Sequence, residues 1–368
     1  MRILYVATVV KTHIMEFHIP YLQMLKEMGW DTAVAARNDY ENPEDCKIPY
    51  CDEYYDIPFE RNPFKPGNNK AYKALKKVID EGNFDIIHCH TPVGAVLGRL
   101  AAKDARKKGA KVFYTAHGFH FYKGAPAVNW MFYYPVERFL ARKTDVLVTI
   151  TTEDYKRAEK FKAGKVVYSP GVGVNTERFI HGDDSGRERL RNELGIPSDA
   201  TVFLSVGEFT ANKNQCLMLE VLPSFPDAYY VLCGRGELMD QLKLRVNNLS
   251  ISDRTIFAGY RNDVEDFYNM ADIFVFPSYR EGLPVALMEA MASGLICVAS
   301  RNRGTNDLMA GSGLLFSAKS AGELREKLQI AISEDCSAEV RRNKEHLKEF
   351  DLKNTLALMR GFYEDAIR

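Results

Sequence analysis

The sequence predicts an α/β fold made of two doubly wound parallel sheets in tandem. Three observations carry that prediction. Short apolar runs alternate with amphipathic stretches of helical period, first through one half of the chain and then again through the other. Some of these runs, such as Ile273 to Phe276, are apolar without interruption, which suits strands buried on both faces of a parallel sheet. Between Gly171 and about Pro197 the alternation lapses into G-V-G-V-N-T-E-R-F and a charged stretch, which marks a linker.

Taken in order, Ile3 to Val10 reads as a strand and Phe17 to Met28 as a helix closed by Gly29. A strand at Thr32 to Ala36 precedes a Pro- and Asn-rich stretch holding one short strand near Tyr54 to Ile57. Helices at Lys70 to Asp80 and Val93 to Lys108 flank a strand at Asp85 to Cys89. Strands at Lys111 to Thr115, Val146 to Ile150 and Val166 to Tyr168 complete the half, with an aromatic-rich helix at Trp130 to Arg142. The second half restarts at Val202 to Val206, then a helix at Gln215 to Leu222. Strands follow at Tyr229 to Cys233, Thr255 to Ala258, Ile273 to Phe276 and Ile296 to Ala299. Three helices end the chain, at about Ala321 to Ser333, Ala338 to Glu349 and Leu352 to Ile367. The expected domains are residues 1–175 and 176–350, with 351–368 packing back on the first. Two such domains place a ligand in a cleft between the carboxyl edges of their strands.

Composition excludes several classes. Lys plus Arg equals Asp plus Glu at 49 each, so nothing global attracts nucleic acid. The seven cysteines are scattered and include no C-x-x-C pair, a usage that fits a reduced cytoplasmic protein. The start is too quickly polar for a signal peptide, and no apolar run approaches the roughly 20 residues needed to span a bilayer. Any membrane role is then peripheral.

Chemistry concentrates in Ser278 to Gly294, S-Y-R-E-G-L-P-V-A-L-M-E-A-M-A-S-G. Gly282 permits a tight turn, and Pro284 suits the first position of a helix running to Gly294. Glu281 lies in the loop and Glu289 on the helix, about 12 Å further along in rise. The two carboxylates can line one ligand whose phosphates meet the free amides of the helix mouth. A carboxylate beside a phosphate repels it, so Glu281 must hold something neutral that carries hydroxyls. A nucleotide diphosphosugar has that layout. Taken alone, two glutamates at this spacing are more often a solvated helix face.

The rest of the chain decides between them. Six segments occur in order: D-I-I-H-C-H-T-P-V-G (85–94), T-A-H-G-F-H-F (115–121), Y-Y-P-V-E-R (133–138), G-V-G-V-N-T-E-R-F (171–179), V-G-E-F-T-A-N-K-N-Q (206–215) and R-E-G-L-P-V-A-L-M-E (280–289). With these the chain resembles the family-4 retaining glycosyltransferases of GT-B architecture, in the EpsD/CapM-type branch of bacterial exopolysaccharide and capsule enzymes. The resemblance runs almost end to end. It implies transfer of a sugar from a nucleotide diphosphosugar, usually a UDP-sugar, to a hydroxyl, with retention and without metal or other cofactor.

Under that resemblance Lys213, with Gly207 giving backbone access, meets the diphosphate. The family usually has a second cation where this chain has Glu208, and Arg280, Arg235 and Arg261 are the candidates to replace it. Glu281 takes the hydroxyls of the transferred sugar, Glu289 those of the ribose, and the amides of Gly282 and Leu283 face the phosphates. Gly234 and Gly236 allow close approach of the nucleotide or mark only a turn. His117 positions the sugar or stabilises positive character at its anomeric carbon. His88, His90 and Thr91 line the acceptor side, joined by Thr12 and His13, where relatives often carry a glycine pair.

His88-x-His90 and His117-x-x-His120 have spacings that a metal could use, but no Cys or carboxylate stands at a matching interval, so no metal is assigned. The implied acceptor is a glycan or polyprenyl-diphosphate-linked saccharide at the inner membrane face. Basic residues (Lys73, Lys76, Lys77, Arg99, Lys103, Arg106, Lys107, Lys108) and the aromatic Trp130, Phe132, Tyr133 and Tyr134 fit contact with an anionic membrane. They fit a solvated face and an aromatic core equally. Two alternatives remain: a nonhydrolysing UDP-sugar epimerase of similar plan, and a non-catalytic sugar-nucleotide binder. A dehydrogenase is disfavoured because no G-x-G-x-x-G follows the first strand.

Overall fold

The computed structural model describes residues 1–180 and 184–368. They form two compact units, one of Met1–Val172 with Asn354–Arg368, the other of Gly173–Lys353. The first carries seven strands: β1 (Arg2–Val9), β2 (Asp31–Arg37), β3 (Glu53–Asp56), β4 (Ile86–Cys89), β5 (Lys111–Ala116), β6 (Val146–Thr149) and β7 (Lys165–Tyr168). Their order is β3-β2-β1-β4-β5-β6-β7, and the pairs are parallel. The second carries β8 (Thr201–Val206), β9 (Ala228–Cys233), β10 (Thr255–Gly259), β11 (Ile273–Phe276), β12 (Ile296–Ser300) and β13 (Leu315–Phe316). Its order is β10-β9-β8-β11-β12-β13, again parallel.

Both sheets are therefore doubly wound, as the alternation predicted. Strands β4, β6 and β11 are buried at every residue, and β11, I-F-V-F, is apolar throughout as such burial favours. Each sheet reverses direction once. In the first unit the reversal lies between β1 and β4, in the second between β8 and β11. Within a single open α/β sheet, the crevice at such a reversal, outside the carboxyl ends of its strands, is where ligands are taken.

Several boundaries differ from expectation. The helix read at Phe17 to Met28 starts instead as a π-helical turn, Val10–Ile14, and a short turn, Met15–Phe17, before the helix Ile19–Glu27. Pro20 lacks an N–H, which the first turn of a helix tolerates and its interior does not, so the regular helix starts there. The helix at Val93 to Lys108 is two, Pro92–Ala101 and Lys103–Lys107. Pro284 is not the first helical residue but the cap before Val285–Ala292, with extended ψ of 111°. Strand β13 has two residues, too few to show any period in the sequence.

The last helix, Leu352–Ile367, belongs to the first unit from Asn354 onward. Met359 and Tyr363 are buried beside Tyr5, Trp30 and Phe113. The Tyr363 hydroxyl lies 2.7 Å from that of Tyr5 and 2.6 Å from His88 Nδ1. This polar junction inside an apolar layer fixes the helix register, because any slip would leave three buried polar groups unpaired.

Candidate active site

The second unit assembles its candidate residues at the β8/β11 reversal. After β8, Gly207 adopts φ +148° and its amide donates to Cys233 O at 2.9 Å. A Cβ there would stand 3.6 Å from Lys213 Cε, so Gly207 and Lys213 are neighbours across their loop. Lys213 Nζ makes a 2.8 Å ion pair with Glu281 Oε1, in the loop after β11. The ammonium also sits 5.2 Å from the centre of the Phe276 ring. Two backbone ties hold these loops together. Asn212 Nδ2 donates to Arg280 O at 2.9 Å, and Tyr279 N to Asn212 O at 2.8 Å. Asn214 takes the left-handed conformation, φ 55°, so that its amide can reach Pro277 O and Ala318 O.

Gly234 and Gly236 are more than a turn. A Cβ on Gly234 would lie 2.0 Å from Gly207 O, and one on Gly236 2.5 Å from Phe209 O. The loop after β9 thus lies flat against the loop carrying Lys213, where no side chain fits. Glu208 is exposed, and its carbonyl accepts from Gln215 Nε2. Of the arginines considered for the second cation, Arg261 is held by both oxygens of Asp263 on its own turn. Arg235 lies 5.0 Å over the Tyr260 ring.

Sequence reading missed Arg303. This buried side chain starts the helix Arg303–Leu308 after β12, and its Nε donates to Glu281 O at 3.1 Å. Next to it, a Cβ on Gly304 would come within 1.5 Å of Gly282 O. The signal was present, a charged R-G pair after an apolar strand, but the contact exists only because β12 lies beside β11. Glu289 is half-buried on its helix and accepts from Tyr268 Oη at 2.9 Å. Burial, then the Glu289 charge, hold that phenol well above its ordinary range, so it stays a donor.

The first unit gathers imidazoles at the β1/β4 reversal. His13 and His18 follow β1, His90 follows β4, and His117 follows β5. His13 Nε2 and His18 Nε2 are 3.1 Å apart, and His90 Nδ1 and His117 Nε2 are 3.3 Å apart. His88 lies tilted against His90 with ring centres 4.1 Å apart, but both its nitrogens are engaged, by Tyr363 and by Thr115. The pairs weighed from sequence spacing are therefore not those the fold unites: His18 joins the cluster, while His120 stacks on Tyr133.

Burial lowers every member of this group, so the rings are neutral near pH 7. His88 and, aided by the neighbouring His117, His13 fall to about 3, and His117 falls to about 4. His18 and His90 lie well below the usual imidazole range. Thr91 sits at φ 60°, unusual for a β-branched residue, with its Oγ1 2.7 Å from Thr8 Oγ1. Thr12 Oγ1 is held between Asp39 and Arg61, both at 3.2 Å.

With this geometry in place the relatives fall into line. Residues 2–151 match the family described as Glycosyl transferase 4-like, and residues 186–348 match Glycosyl transferases group 1. EpsD of Bacillus subtilis (strain 168) is 41% identical over 84% of this chain and 81% of its own length. The chain belongs to the family-4 glycosyltransferases. An Escherichia coli UDP-Gal:alpha-D-GlcNAc-diphosphoundecaprenol alpha-1,3-galactosyltransferase is 31% identical over 65% of this chain and 64% of its own. In fold, Anabaena Alr3699/HepE in complex with UDP and glucose matches with a TM-score of 0.81 at 17% identity, covering 99% of this chain and 100% of that one. The architecture is GT-B, two Rossmann-like parallel-sheet units, and the protein is a glycosyltransferase acting with a nucleotide sugar. These matches do not favour the epimerase alternative.

Proposed function

We propose that this glycosyltransferase moves a hexosyl or N-acetylhexosaminyl group, with retention, from a UDP-sugar to a hydroxyl of a polyprenyl-diphosphate-linked saccharide. The observation that carries the reading is the Lys213–Glu281 pair at the β8/β11 reversal. A cation and a carboxylate 2.8 Å apart are what a donor needs where its charged diphosphate meets its neutral, hydroxyl-rich sugar. Lys213 faces the departing phosphate and Glu281 the sugar hydroxyls. Gly207, Gly234 and the turn at Gly282 and Leu283 bring backbone close to the nucleotide. Glu289, aimed by Tyr268, takes the ribose hydroxyls. Arg280 or Arg303 supplies the second positive charge.

As the bond from the anomeric carbon to the phosphate oxygen breaks, negative charge grows on that oxygen, and Lys213 is already placed to meet it. The acceptor oxygen bonds to the same face of the sugar, and its proton passes to the departing diphosphate. No step is routed through a metal. His117 steadies the sugar as its ring becomes positive, and a neutral imidazole does so without repelling it. His13, His88, His90, Thr12 and Thr91 belong to the acceptor side. The acceptor class is supported by the E. coli relative and by a Campylobacter jejuni one, N,N'-diacetylbacillosaminyl-diphospho-undecaprenol alpha-1,3-N-acetylgalactosaminyltransferase, 28% identical over 74% of each chain. Both names specify an α product, which fits retention from an α-linked nucleotide sugar.

Among the described residues no helix is long and apolar enough to cross a membrane. The helix Ala127–Ala141 instead offers a stripe at helical spacing, Val128, Met131, Phe132, Val136 and Phe139, all exposed. Arg138, Arg142 and Lys143 lie around it. This stripe, rather than Trp130, Tyr133 and Tyr134, is our peripheral contact with the inner face of an anionic membrane. Those three rings pack into the first unit's core. The test of function is UDP release from a panel of UDP-sugars with a short-chain polyprenyl-diphosphate saccharide, with product configuration read by NMR. An inverted product, or no turnover with any donor while UDP still binds, overturns the reading.

A further inference from the structure

We propose that His13, His18, His90 and His117 form a binding site for one divalent transition-metal cation of the zinc class. Each imidazole offers one ring nitrogen, and the four nitrogens lie within 4.8 Å of one another. Zinc bound tetrahedrally at roughly 2.0–2.1 Å holds its ligand nitrogens about 3.4 Å apart. The His13–His18 separation, 3.1 Å, already matches one edge of that tetrahedron. The remaining edges close by rotation about side-chain bonds, with His90 contributing its Nε2.

A second observation points the same way. His90 is 2% exposed, and its Nε2 is buried with no hydrogen-bond partner. An unpaired ring nitrogen at such depth is costly, and a ligand removes the cost. His88 has both nitrogens engaged and packs beside His90 as a wall, not a ligand. The ligands also come from three separate segments, after β1, β4 and β5, which the sheet holds rigidly at its reversal. Imidazole nitrogen suits Zn2+, Co2+, Ni2+ or Cu2+, whereas Mg2+ and Ca2+ require oxygen.

The site itself does not depend on the transferase reading; its consequence does. A cation on His117 takes the nitrogen that would face the sugar, so filling the site inhibits transfer and chelation restores it.

The experiment uses the full chain after chelator treatment. Titration with Co2+ alone is followed by visible absorption, and Zn2+ by calorimetry and by metal content after gel filtration. The expected result is one cation per chain, an intense tetrahedral Co2+ spectrum displaced by Zn2+, and no response to Mg2+. His90→Ala and His13→Ala each weaken binding at least tenfold, and His120→Ala leaves it unchanged. His13 is only half-buried, so His13→Asn provides a folded ligand variant, checked by circular dichroism, should His90→Ala not fold. Absence of the Co2+ spectrum, or equal affinity in wild type and His13→Asn, overturns the site. Because binding is read without sugar nucleotide, that failure leaves the transferase reading intact. Full metal occupancy with undiminished UDP release overturns the inhibitory consequence.

Discussion

Removing either partner of the Lys213–Glu281 pair should separate the two proposed roles that meet in this one contact. The side chains are 24% and 13% exposed, so their mutual attraction is only partly screened. Lys213→Ala removes the charge proposed to meet the departing phosphate. Loss of one preorganised electrostatic partner typically costs a factor of about 10² to 10³ in turnover, or roughly 3–4 kcal/mol of barrier. Affinity for UDP should fall as well, because the phosphate is present in UDP. Glu281→Gln keeps the shape but removes the carboxylate that competes for Lys213. UDP should then bind as well as before or a few-fold tighter, while affinity for the intact UDP-sugar and turnover both drop.

The stability signs differ from the activity signs. Lys213→Ala strands a largely buried carboxylate at a cost of about 1–3 kcal/mol, and adding Glu281→Gln recovers most of it without recovering activity. Calorimetry with UDP and UDP-sugar, steady-state UDP release and urea unfolding of the four proteins measure all the terms. If Lys213→Ala leaves UDP affinity unchanged, or Glu281→Gln weakens UDP as much as it weakens UDP-sugar, the assignment of cation to phosphate and carboxylate to sugar is wrong.

Four further outcomes follow from other contacts. Arg99 is 1% exposed, held by both oxygens of Glu137 and stacked 3.9 Å over Tyr114. Glu137→Ala leaves that guanidinium buried without its counter-charge, so urea unfolding should show a loss of about 3–5 kcal/mol. Gly304→Ala forces a methyl into the Gly282 carbonyl and should displace the Glu281 loop, lowering UDP-sugar affinity at least tenfold by calorimetry. Tyr363→Phe leaves Tyr5 Oη and His88 Nδ1 without their partner, and the first unit should lose about 1–3 kcal/mol in urea. Phe132→Ser with Phe139→Ser should abolish cosedimentation with anionic vesicles at low salt, leaving the melting temperature unchanged; failure of wild type to bind removes the membrane role.

The two sheets were legible because parallel strands buried on both faces leave unbroken apolar runs, and the turns after them carry Gly, Asn and Pro. What the sequence hid is what crosses between strands distant along the chain. Lys213 and Glu281 were both chosen from their motifs, but 68 positions separate them, and only the adjacency of β8 and β11 makes them a pair. Arg303 went unseen for the same reason, since it reaches Glu281 through β12. His18 fell within the stretch expected to be a helix and received no role there, yet after the π-helical turn its ring lies beside His90, centres 4.2 Å apart. Of the aromatics grouped for membrane contact, Phe132 is exposed, whereas Trp130, Tyr133 and Tyr134 pack against the core. Helical period places Trp130 and Tyr134 on one face and Phe132 on another, but only packing decides which face is covered.

One regularity joins these cases. In each unit the chemically active side chains cluster at the single reversal of strand order, β1/β4 in the first and β8/β11 in the second. There the loops diverge and leave backbone and side chains without a neighbouring crossover to cover them. The reversal in the first unit is lined by neutral imidazoles and in the second by a cation paired with a carboxylate. The proposed sites follow that difference, with the diphosphate assigned to the second unit and the acceptor hydroxyl, or a cation seeking nitrogen, to the first. That proposed division of labour follows from which residue types stand after β1, β4, β5, β8 and β11, and exchanging Lys213 for a neutral residue should erase it on the donor side without touching the acceptor side.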